Sequence, residues 1–371
     1  MSEQPIPLVD LSKQHEQVDD EIRAGLDQLF STGAFVDGPD VADFEREFAD
    51  FSGAEHAVGV ASGTDALELA LRAAGIGTGD EVIVPANTFV ATAEAVIRAG
   101  AHPVFVDVDP DHHLLDATLV DATVTEHTRA IVPVHLYGQL TPMDDVVAVA
   151  SRHGLAVVAD AAQAQGATAG GRGIADDVVA AGTSFYPGKN LGAYGDAGAV
   201  VTNDATVAEL VRSMSHHGSG EDRYHHVRFG CTSRLDTVQA VVLRAKLARL
   251  EKWNEQRRAA ARTYDELLAP LGGVVRPATA PGNVHVWHLY VVQVDDRDRV
   301  LDGLRAAGIG AGVHYPIPLH RQLAFAHLGL PADAFPVATA AADRILSLPL
   351  FPGITEAQQE RVARTLSALV R

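Results

Sequence analysis

The sequence predicts an α/β protein with a large domain, in which helices cover a mostly parallel sheet, and a smaller C-terminal α/β domain. Short apolar runs alternate with helix-like segments, and the runs are continuously apolar, as in strands buried on both faces. The pattern changes after a long helix, where Pro277, Pro281 and Gly282 interrupt the chain. We therefore assign residues 1–250 to the large domain and residues 251–371 to the small one.

The predicted elements of the large domain follow a strand–helix–strand order. The strands are predicted at Val58–Val60, Glu81–Val84, Pro103–Val108, Ala130–His135, Leu155–Asp160 and Gly198–Thr202. The helices are predicted at Asp65–Ala74, Ala91–Ala99, Met143–Ser151 and Asp236–Leu268. Gly75 follows the first of these helices and is suited to end it. In the small domain we expect a strand at Val284–Val294, a helix at Asp298–Ala307 and another helix near the C-terminus.

Composition excludes several classes of protein. The chain has 371 residues, of which 47% are hydrophobic, so it can bury large cores. Its formal net charge of -19 argues against nonspecific nucleic-acid binding. A single cysteine, Cys231, excludes an intramolecular disulfide. We find neither a signal-peptide pattern nor an apolar run of membrane-spanning length, so we expect a cytoplasmic protein without membrane contact.

Lys189 is the first candidate catalytic residue. It lies in the glycine-rich segment that follows Ser184, close to apolar residues. Most lysines are exposed, but one that is partly desolvated has a lowered pKa and can hold a carbonyl cofactor as a Schiff base. Pyridoxal phosphate is such a cofactor, and its pyridine nitrogen needs a carboxylate partner. Asp160, at the end of a predicted buried strand, can supply that carboxylate.

A candidate phosphate site lies where the first predicted strand meets its helix. Gly63 lets the backbone approach an anion, Thr64 adds a hydroxyl, and the helix N-terminus offers free N–H groups. Such residues at a helix start are more often simple caps. The P-loop and dinucleotide-binding glycine motifs are absent, which disfavours nucleotide hydrolases and dehydrogenases. Phe89, after the second strand, can lie against an aromatic ring.

Four separated motifs occur together in this chain. They are Ser62-Gly63-Thr64-Asp65-Ala66, Asp160-x-x-Gln163, Ser184-Phe185-x-x-x-Lys189, and Gly230 to Asp236 ahead of Gln239-Ala240. In this order they resemble the DegT/DnrJ/StrS sugar aminotransferases, from about Ile6 to the C-terminus. The resemblance implies a fold-type-I aminotransferase with pyridoxal phosphate as cofactor. It also implies a homodimer whose two active sites lie at the subunit interface.

The resemblance assigns a role to each motif. Lys189 is expected to form the Schiff base and Asp160 to pair with the pyridine nitrogen. The other expected cofactor contacts are Gln163 at the phenolic oxygen, Phe89 on the ring, and Gly63, Thr64 and Ser184 at the phosphate. Thr232 stands where the family commonly has an asparagine that reaches the phosphate from the neighbouring subunit. Its hydroxyl also donates a hydrogen bond but on a shorter side chain.

The segment around Lys189 also indicates the substrate. Tyr186-Pro187-Gly188-Lys189 resembles the C3 aminotransferases of deoxysugar pathways, whereas C4 enzymes usually carry histidine in place of Tyr186. We therefore expect a nucleotide-linked 3-keto-6-deoxyhexose, with the dTDP sugar favoured, as acceptor and L-glutamate as donor. The expected substrate-binding residues are Tyr186, Tyr224, His314, Tyr315 and His320.

A polar loop around residue 223 carries two histidine pairs, His216-His217 and His225-His226. Their spacing matches no familiar zinc site, so we expect no metal. Arg223 in this loop could approach a negatively charged nucleotide.

Three alternatives remain open from the sequence. Related dehydratases replace the Schiff-base lysine by histidine, whereas Lys189 is present here. A noncatalytic or regulatory protein with this fold finds no support in a basic face or a DNA-binding extension. An aminotransferase for C4-keto sugars or keto-inositols is the nearest rival.

Overall fold

The computed structural model describes residues 4–222 and 224–370. Its helices, in chain order, are α1 (Ser12–His15), α2 (Asp19–Thr32), α3 (Pro39–Ser52), α4 (Gly63–Ala73), α5 (Val90–Arg98), α6 (Ala117–Val120), α7 (Met143–His153), α8 (Ala205–Ser215), α9 (Thr237–Leu268), α10 (Arg297–Ala306), α11 (Pro336–Arg344) and α12 (Glu356–Leu369). Its strands are β1 (His56–Val60), β2 (Glu81–Pro85), β3 (His102–Val106), β4 (Thr128–Ile131), β5 (Ala156–Asp160), β6 (Thr168–Ala169), β7 (Ala180–Ser184), β8 (Gly198–Thr202), β9 (Val274–Val275), β10 (Asn283–Val284), β11 (Tyr290–Val294) and β12 (Ile345–Leu348).

A seven-stranded sheet forms the centre of the large unit. Its order is β1-β8-β7-β5-β4-β2-β3, and β8 is antiparallel to both of its neighbours. The pairs from β7 to β3 are parallel. The predicted α/β architecture with a mostly parallel, helix-covered sheet is therefore confirmed.

The sheet is apolar because both of its faces are covered. One core cluster joins strand residues such as Val58 and Val84 to Leu67 and Leu71 of α4. A second cluster on the sheet includes Phe44 and Phe48 of α3, together with residues of α9. Gly75 has a φ of 82° just after α4, which is the left-handed conformation expected at the end of a helix.

A second sheet, β12-β11-β9, lies in the C-terminal part of the chain. Its core includes Tyr290, Leu346 and Val362, and also Ile6 from the N-terminal segment. Helix α9 has 32 residues and contributes to both cores, through Leu243 in the large one and Tyr264 in the small one. The boundary at residue 250 therefore falls inside one continuous helix, and it stays a prediction.

The predicted single strand at Val284–Val294 is wrong. The structure divides it into β10, which pairs with β6, and β11, which pairs with β12 and β9. Between them Trp287 has a φ of 49°, a conformation that a strand cannot contain. The sequence does not show this break, because residues that are buried against two different neighbours still form one apolar run.

The carboxyl ends of the parallel strands lie along one edge of the sheet. Asp160 is the last residue of β5 and Ser184 is the last residue of β7, and these strands pair directly. In open α/β sheets, ligands bind in the crevice outside this edge. The fold therefore brings two of the predicted site residues to the edge where a ligand is expected.

Phe48→Ala is expected to lower the free energy of unfolding by about 3–5 kcal/mol, because it leaves a cavity in a closed core. The Phe48 ring is fully buried and packs edge-on against Phe185, with 5.0 Å between centroids. Urea unfolding followed by circular dichroism measures the change. Phe51→Ala, in the same helix but at a half-buried position, is the matched control with a smaller expected loss. Equal losses in the two variants would contradict this account of the core.

Candidate active site

Lys189 lies in a closed turn after β7. Its backbone N–H donates to the Tyr186 carbonyl at 2.8 Å, and the Ala193 N–H donates to the Phe185 carbonyl at 2.7 Å. Burial lowers the pKa of the Lys189 amine to about 8, although the negative charge of Asp160 favours the ammonium. At neutral pH the Lys189 amine is therefore neutral in a much larger fraction of molecules than the amine of an exposed lysine. The neutral amine is the nucleophilic form.

Asp160 is buried at the end of β5, and burial raises its pKa. Three groups oppose this effect and favour the carboxylate. The Thr92 hydroxyl donates to Oδ2 at 2.7 Å, the Ala162 N–H donates to Oδ1 at 3.0 Å, and Lys189 contributes its positive charge. A cationic N–H donor beside this carboxylate would favour its charged form further and so offset more of the effect of burial on its pKa.

The N-terminus of α4 meets the end of β7. The Ser62 side chain accepts from the Asp65 N–H at 3.1 Å, whereas the helix itself offers no partner to the N–H groups of Gly63 and Thr64. A Cβ at Gly63 would lie 2.5 Å from the Ser184 Cβ. Glycine is therefore required at residue 63, and it brings free N–H groups and the Ser184 hydroxyl together as donors for an anion.

Gln163 connects two parts of the site. Its Oε1 accepts from the Tyr137 N–H at 2.7 Å, and its Nε2 donates to the Tyr315 hydroxyl at 3.0 Å. The Tyr137 hydroxyl donates to the His314 carbonyl at 2.6 Å. The structure thus joins Gln163 to the predicted substrate residues His314 and Tyr315, which lie in a distant part of the sequence.

Aromatic and imidazole groups form the adjoining wall. The half-exposed Phe89 ring lies 5.4 Å from the Tyr315 ring, centroid to centroid. His314 Nδ1 lies 2.7 Å from the Ser347 hydroxyl, and burial, helped by the charge of Lys189, lowers its pKa to about 4. His314 is therefore a neutral group at physiological pH. Tyr186, in the same turn as Lys189, is largely exposed.

Three predicted residues lie apart from this group. Thr232 is exposed and its hydroxyl lies 2.6 Å from His217 Nε2, while Tyr224 is 82% exposed on the polar loop. His320 is buried against Phe335, and its Nε2 lies 3.1 Å from the Ala332 carbonyl oxygen. Arg223 lies outside the described residues. The roles of these residues stay predictions.

Sequence reasoning missed Thr92 and Tyr137. Thr92 follows Thr88 at helical spacing, and their hydroxyls lie 2.9 Å apart, but nothing in that pattern points to Asp160. Tyr137 has a φ of 61°, which places its backbone N–H on Gln163. The glycine that follows it, Gly138, is a local signal for a turn at this point.

Two further findings concern metals and membranes. Among residues 4–222 and 224–370, no group of three or more histidine, cysteine or carboxylate side chains is placed to hold a metal ion. In the same ranges, no helix has the length and apolar character needed to cross a membrane.

The chain belongs to the DegT/DnrJ/EryC1/StrS aminotransferase family, whose model matches residues 16–367. It is 46% identical to a dTDP-3-amino-3,4,6-trideoxy-alpha-D-glucose transaminase of Streptomyces venezuelae, over 96% of this chain and 94% of that protein. It is also 46% identical to a pleiotropic regulatory protein of Geobacillus stearothermophilus, over 99% of both chains.

Solved structures agree with this assignment. The crystal structure of S. venezuelae DesV in complex with a ketimine intermediate has a TM-score of 0.97 and 44% identity, and the match covers 100% of this chain and 99% of that one. The family resemblance found in the sequence and the aminotransferase fold are therefore confirmed.

The expectation of pyridoxal phosphate is confirmed at the level of the family, whose aminotransferases bind this cofactor. The residues of this chain fit it. Lys189 is partly buried and its amine has a lowered pKa, the carboxyl group of Asp160 acts on that amine electrostatically, and the N-terminus of α4, where Gly63 has no side chain, is available for a phosphate.

The rate at which Lys189 captures pyridoxal phosphate should rise through about pH 8 and level off above it, because the pKa of its amine is lowered to about 8. Asp160→Asn removes the charge that favours the ammonium, so it should move the midpoint to lower pH. Initial rates for cofactor-free protein, followed by absorbance and normalised to each plateau, measure both midpoints. Lys189→Ala is the control for other lysines. A wild-type midpoint near 10 would refute the desolvated state of Lys189.

Proposed function

We propose that this chain transfers an amino group from L-glutamate to the C3 carbonyl of a dTDP-linked 3-keto-6-deoxyhexose. One observation carries the proposal. A chain with a partly buried Lys189 whose amine is electrostatically coupled to Asp160 is 46% identical, over nearly its whole length, to a transaminase named for a dTDP-3-amino sugar. The name of that relative places its amino group at C3, the position that the Tyr186 segment also favours.

Catalysis depends on proton transfer by Lys189. When bound, pyridoxal phosphate supplies an aldehyde carbon for the lysine amine and a ring that withdraws electrons while its nitrogen is protonated. With the cofactor bound, Lys189 Nζ would act as the base of both half-reactions once its amine is free. In the first half it would move the proton of the donor α carbon to the cofactor, and in the second half it would move a proton from the cofactor to the C3 carbon of the sugar. One lysine therefore serves both halves.

Asp160 holds the positive charge of the ring nitrogen in place. Its carboxylate is already oriented by Thr92 and by the Ala162 N–H, so the remaining lone pairs have a fixed direction. Such preorganisation is effective in a buried site because no water must reorganise. Gln163 Nε2 provides a hydrogen-bond donor for the phenolic oxygen, and Phe89 provides a flat apolar surface for the ring.

The anion end of the site lies at α4. We assign the cofactor phosphate to the N–H groups of Gly63 and Thr64 and to the Ser184 hydroxyl. The polar donors and the helix dipole favour a doubly charged group there. Thr232 is assigned to the same phosphate from a second copy of the chain, since its hydroxyl lies on an exposed surface of its own protomer.

A homodimer is part of the proposal. Phe229 is 93% exposed and Tyr224 is 82% exposed, and both lie with Val36 and Val227 around one cavity of the surface. Large apolar side chains grouped in this way mark interaction sites. A second copy seated on this face would cover them and bring Thr232 and Tyr224 to its active site.

The sugar is assigned to the wall formed by Tyr186, His314 and Tyr315. His314 is neutral because of its lowered pKa, so it can accept or donate a hydrogen bond to a hydroxyl without adding charge. Tyr186 offers an exposed phenol at the mouth of the site. His320 is the remaining member of this proposed group, although in the single chain it is buried against Phe335, apart from the wall.

The 3-keto sugar should convert enzyme loaded with pyridoxamine phosphate back to its pyridoxal phosphate spectrum, because a C3 enzyme would bring only that carbonyl within reach of Lys189. Misplacing a reacting carbon by about 1 Å costs on the order of a hundredfold in rate. Stopped-flow absorbance with dTDP-linked 3-keto and 4-keto 6-deoxyhexoses measures the difference, and mass spectrometry identifies the aminated product.

Each other outcome of this experiment has a defined meaning. Faster conversion by the 4-keto sugar would overturn the C3 assignment. Reaction with a keto-inositol alone would favour a cyclitol aminotransferase. Absence of reaction with any ketone, together with absence of reaction with glutamate, would favour the regulatory alternative that the name of the Geobacillus relative suggests.

A further inference from the structure

Two buried threonine hydroxyls form a row that ends on the Asp160 carboxylate. Thr92 Oγ1 donates to Asp160 Oδ2 at 2.7 Å, and Thr88 Oγ1 lies 2.9 Å from Thr92 Oγ1. Thr88 is 2% exposed and Thr92 is 1% exposed, so bulk water does not compete for either hydroxyl. Thr88 is therefore connected to the carboxylate through Thr92.

The charge of the carboxylate determines the direction of both hydrogen bonds. An ionised carboxylate only accepts, so the single proton of the Thr92 hydroxyl lies on the bond to Asp160. Thr92 Oγ1 then has only lone pairs left, and the Thr88 hydroxyl is the donor to it. The opposite order, from Asp160 to Thr92 to Thr88, requires a protonated carboxyl group. The row favours the ionised form, because hydrogen bonds to a charged acceptor are the stronger ones.

The Thr88 hydroxyl also limits the alternatives that are open to Thr92. A threonine in a helix has two competing side-chain rotamers, because its hydroxyl can turn to a carbonyl three or four residues back. Thr92 is the third residue of α5, so these carbonyls belong to Phe89 and Thr88. Donation from the Thr88 hydroxyl stabilises the rotamer in which Thr92 Oγ1 faces Asp160.

The same two threonines enclose the residue that carries the half-exposed aromatic ring. Phe89 lies between them as the N-cap residue of α5, and its carbonyl accepts from the Thr92 N–H at 3.2 Å. The bond between the hydroxyls of Thr88 and Thr92 closes this turn on its side-chain side. One turn therefore holds both the residue assigned to the face of the cofactor ring and the donor to Asp160.

Three titratable groups lie around Asp160. The positive charge of Lys189 favours the carboxylate, and the pKa of that amine is lowered to about 8 by burial. Burial, helped by the charge of Asp160, raises the pKa of the Tyr315 phenol. The His135 N–H donates to the Asp160 carbonyl at 2.9 Å, and burial lowers the pKa of its imidazole to about 3. Of the three, Lys189 changes its charge nearest to neutral pH, so its effect must be separated from that of the hydroxyl row.

We propose that Thr88 is a positioning residue for Asp160, whose hydroxyl keeps the Thr92 proton on the carboxylate and so supports the anion that pairs with the cofactor ring nitrogen. The proposal rests on the role given to Asp160 in the proposed function. No proton is transferred along the row, since each hydroxyl keeps its own proton and only the direction of that proton is fixed. The row is already in place in the chain by itself.

Substitutions that keep the shape but remove one hydroxyl test the row. Thr92→Val should raise the proton affinity of the Asp160 carboxylate about tenfold, which is the difference between a charged and a neutral hydrogen bond. Thr88→Val should raise it by about 1.5-fold to twofold, because cooperativity adds on the order of 10–30% per bond. Thr88→Ser keeps the hydroxyl and should restore the wild-type value. The double variant should match Thr92→Val alone, since Thr88 acts only through Thr92.

NMR titration of the full-length, cofactor-free chain with carboxyl-labelled aspartate measures this affinity, and Asp160→Asn identifies the resonance. Repeating the series with Lys189→Ala removes the titration of the amine. Thr202→Val is the matched control, because it deletes another fully buried hydroxyl, which donates to the Val179 carbonyl at 2.7 Å. It should leave the Asp160 titration unchanged. An unchanged titration in Thr88→Val, or effects that add in the double variant, would overturn the proposal in favour of a packing role.

A second readout uses the resting enzyme loaded with pyridoxal phosphate that carries nitrogen-15 in its ring. The ring nitrogen signal should move toward that of the unprotonated form in the order wild type, Thr88→Val, Thr92→Val, Asp160→Asn. A larger change in Thr88→Val than in Thr92→Val would overturn the proposal. The same signal in Asp160→Asn and in the wild type would instead count against the proposed function, so the two failures are distinguishable.

The direction of the hydroxyls is tested without any substitution. Neutron diffraction from deuterium-exchanged crystals of the wild-type protein, at a pH where Asp160 is ionised, should show the Thr92 deuteron on the line to Asp160 Oδ2. The Thr88 deuteron should lie on the line to Thr92 Oγ1. A Thr92 deuteron directed at Thr88 or at a backbone carbonyl would overturn the proposal even if the variants fail to fold.

Discussion

The electrostatic coupling between Lys189 and Asp160 is the constraint on which the rest of the site depends. Burial alone disfavours both charged forms, since it lowers the pKa of the lysine and raises that of the aspartic acid. The negative charge of Asp160 favours the ammonium form of Lys189, and the positive charge of Lys189 favours the carboxylate form of Asp160. The site therefore brings together an amine of lowered pKa and a carboxyl group whose charged form is favoured by its neighbours, which is the combination that a carbonyl cofactor with a basic ring nitrogen requires.

The fold supplies that coupling through adjacent strand ends. Asp160 ends β5 and the Lys189 turn follows the neighbouring β7, so the two residues approach one another without a long loop. Helix α9 holds the turn from behind. Lys246 Nζ donates to the Gly192 carbonyl at 2.6 Å, and Asn254 bonds to Asn190. Because α9 also packs in the core of the small sheet, it links the position of Lys189 to that sheet.

The sequence predicted the parts of this site that are local along the chain. Lys189, Asp160 and Gly63 stand at strand or helix ends, where continuous apolar runs stop and glycines begin, and such boundaries are visible without a structure. The bond between Gln163 and Tyr315 and the contacts of Asn190 with His288 join residues far apart in sequence, so no pattern could have indicated them. The break at Trp287 was not predicted for a related reason. The residues on its two sides are buried against different neighbours, yet in the sequence they form one apolar run that is typical of a single strand.

The central claim is that the charge of Asp160 keeps the ring nitrogen of the cofactor protonated and thereby makes proton transfer by Lys189 possible. The most direct measurement is the single-turnover reaction of cofactor-loaded Asp160→Asn with L-glutamate, followed by absorbance. The amide keeps the shape and removes the charge, so the rate should fall by orders of magnitude while the cofactor stays bound. Thr92→Val, which removes one hydrogen bond to the same carboxylate, should show a much smaller loss. A rate for Asp160→Asn close to that of the wild-type enzyme would contradict the account.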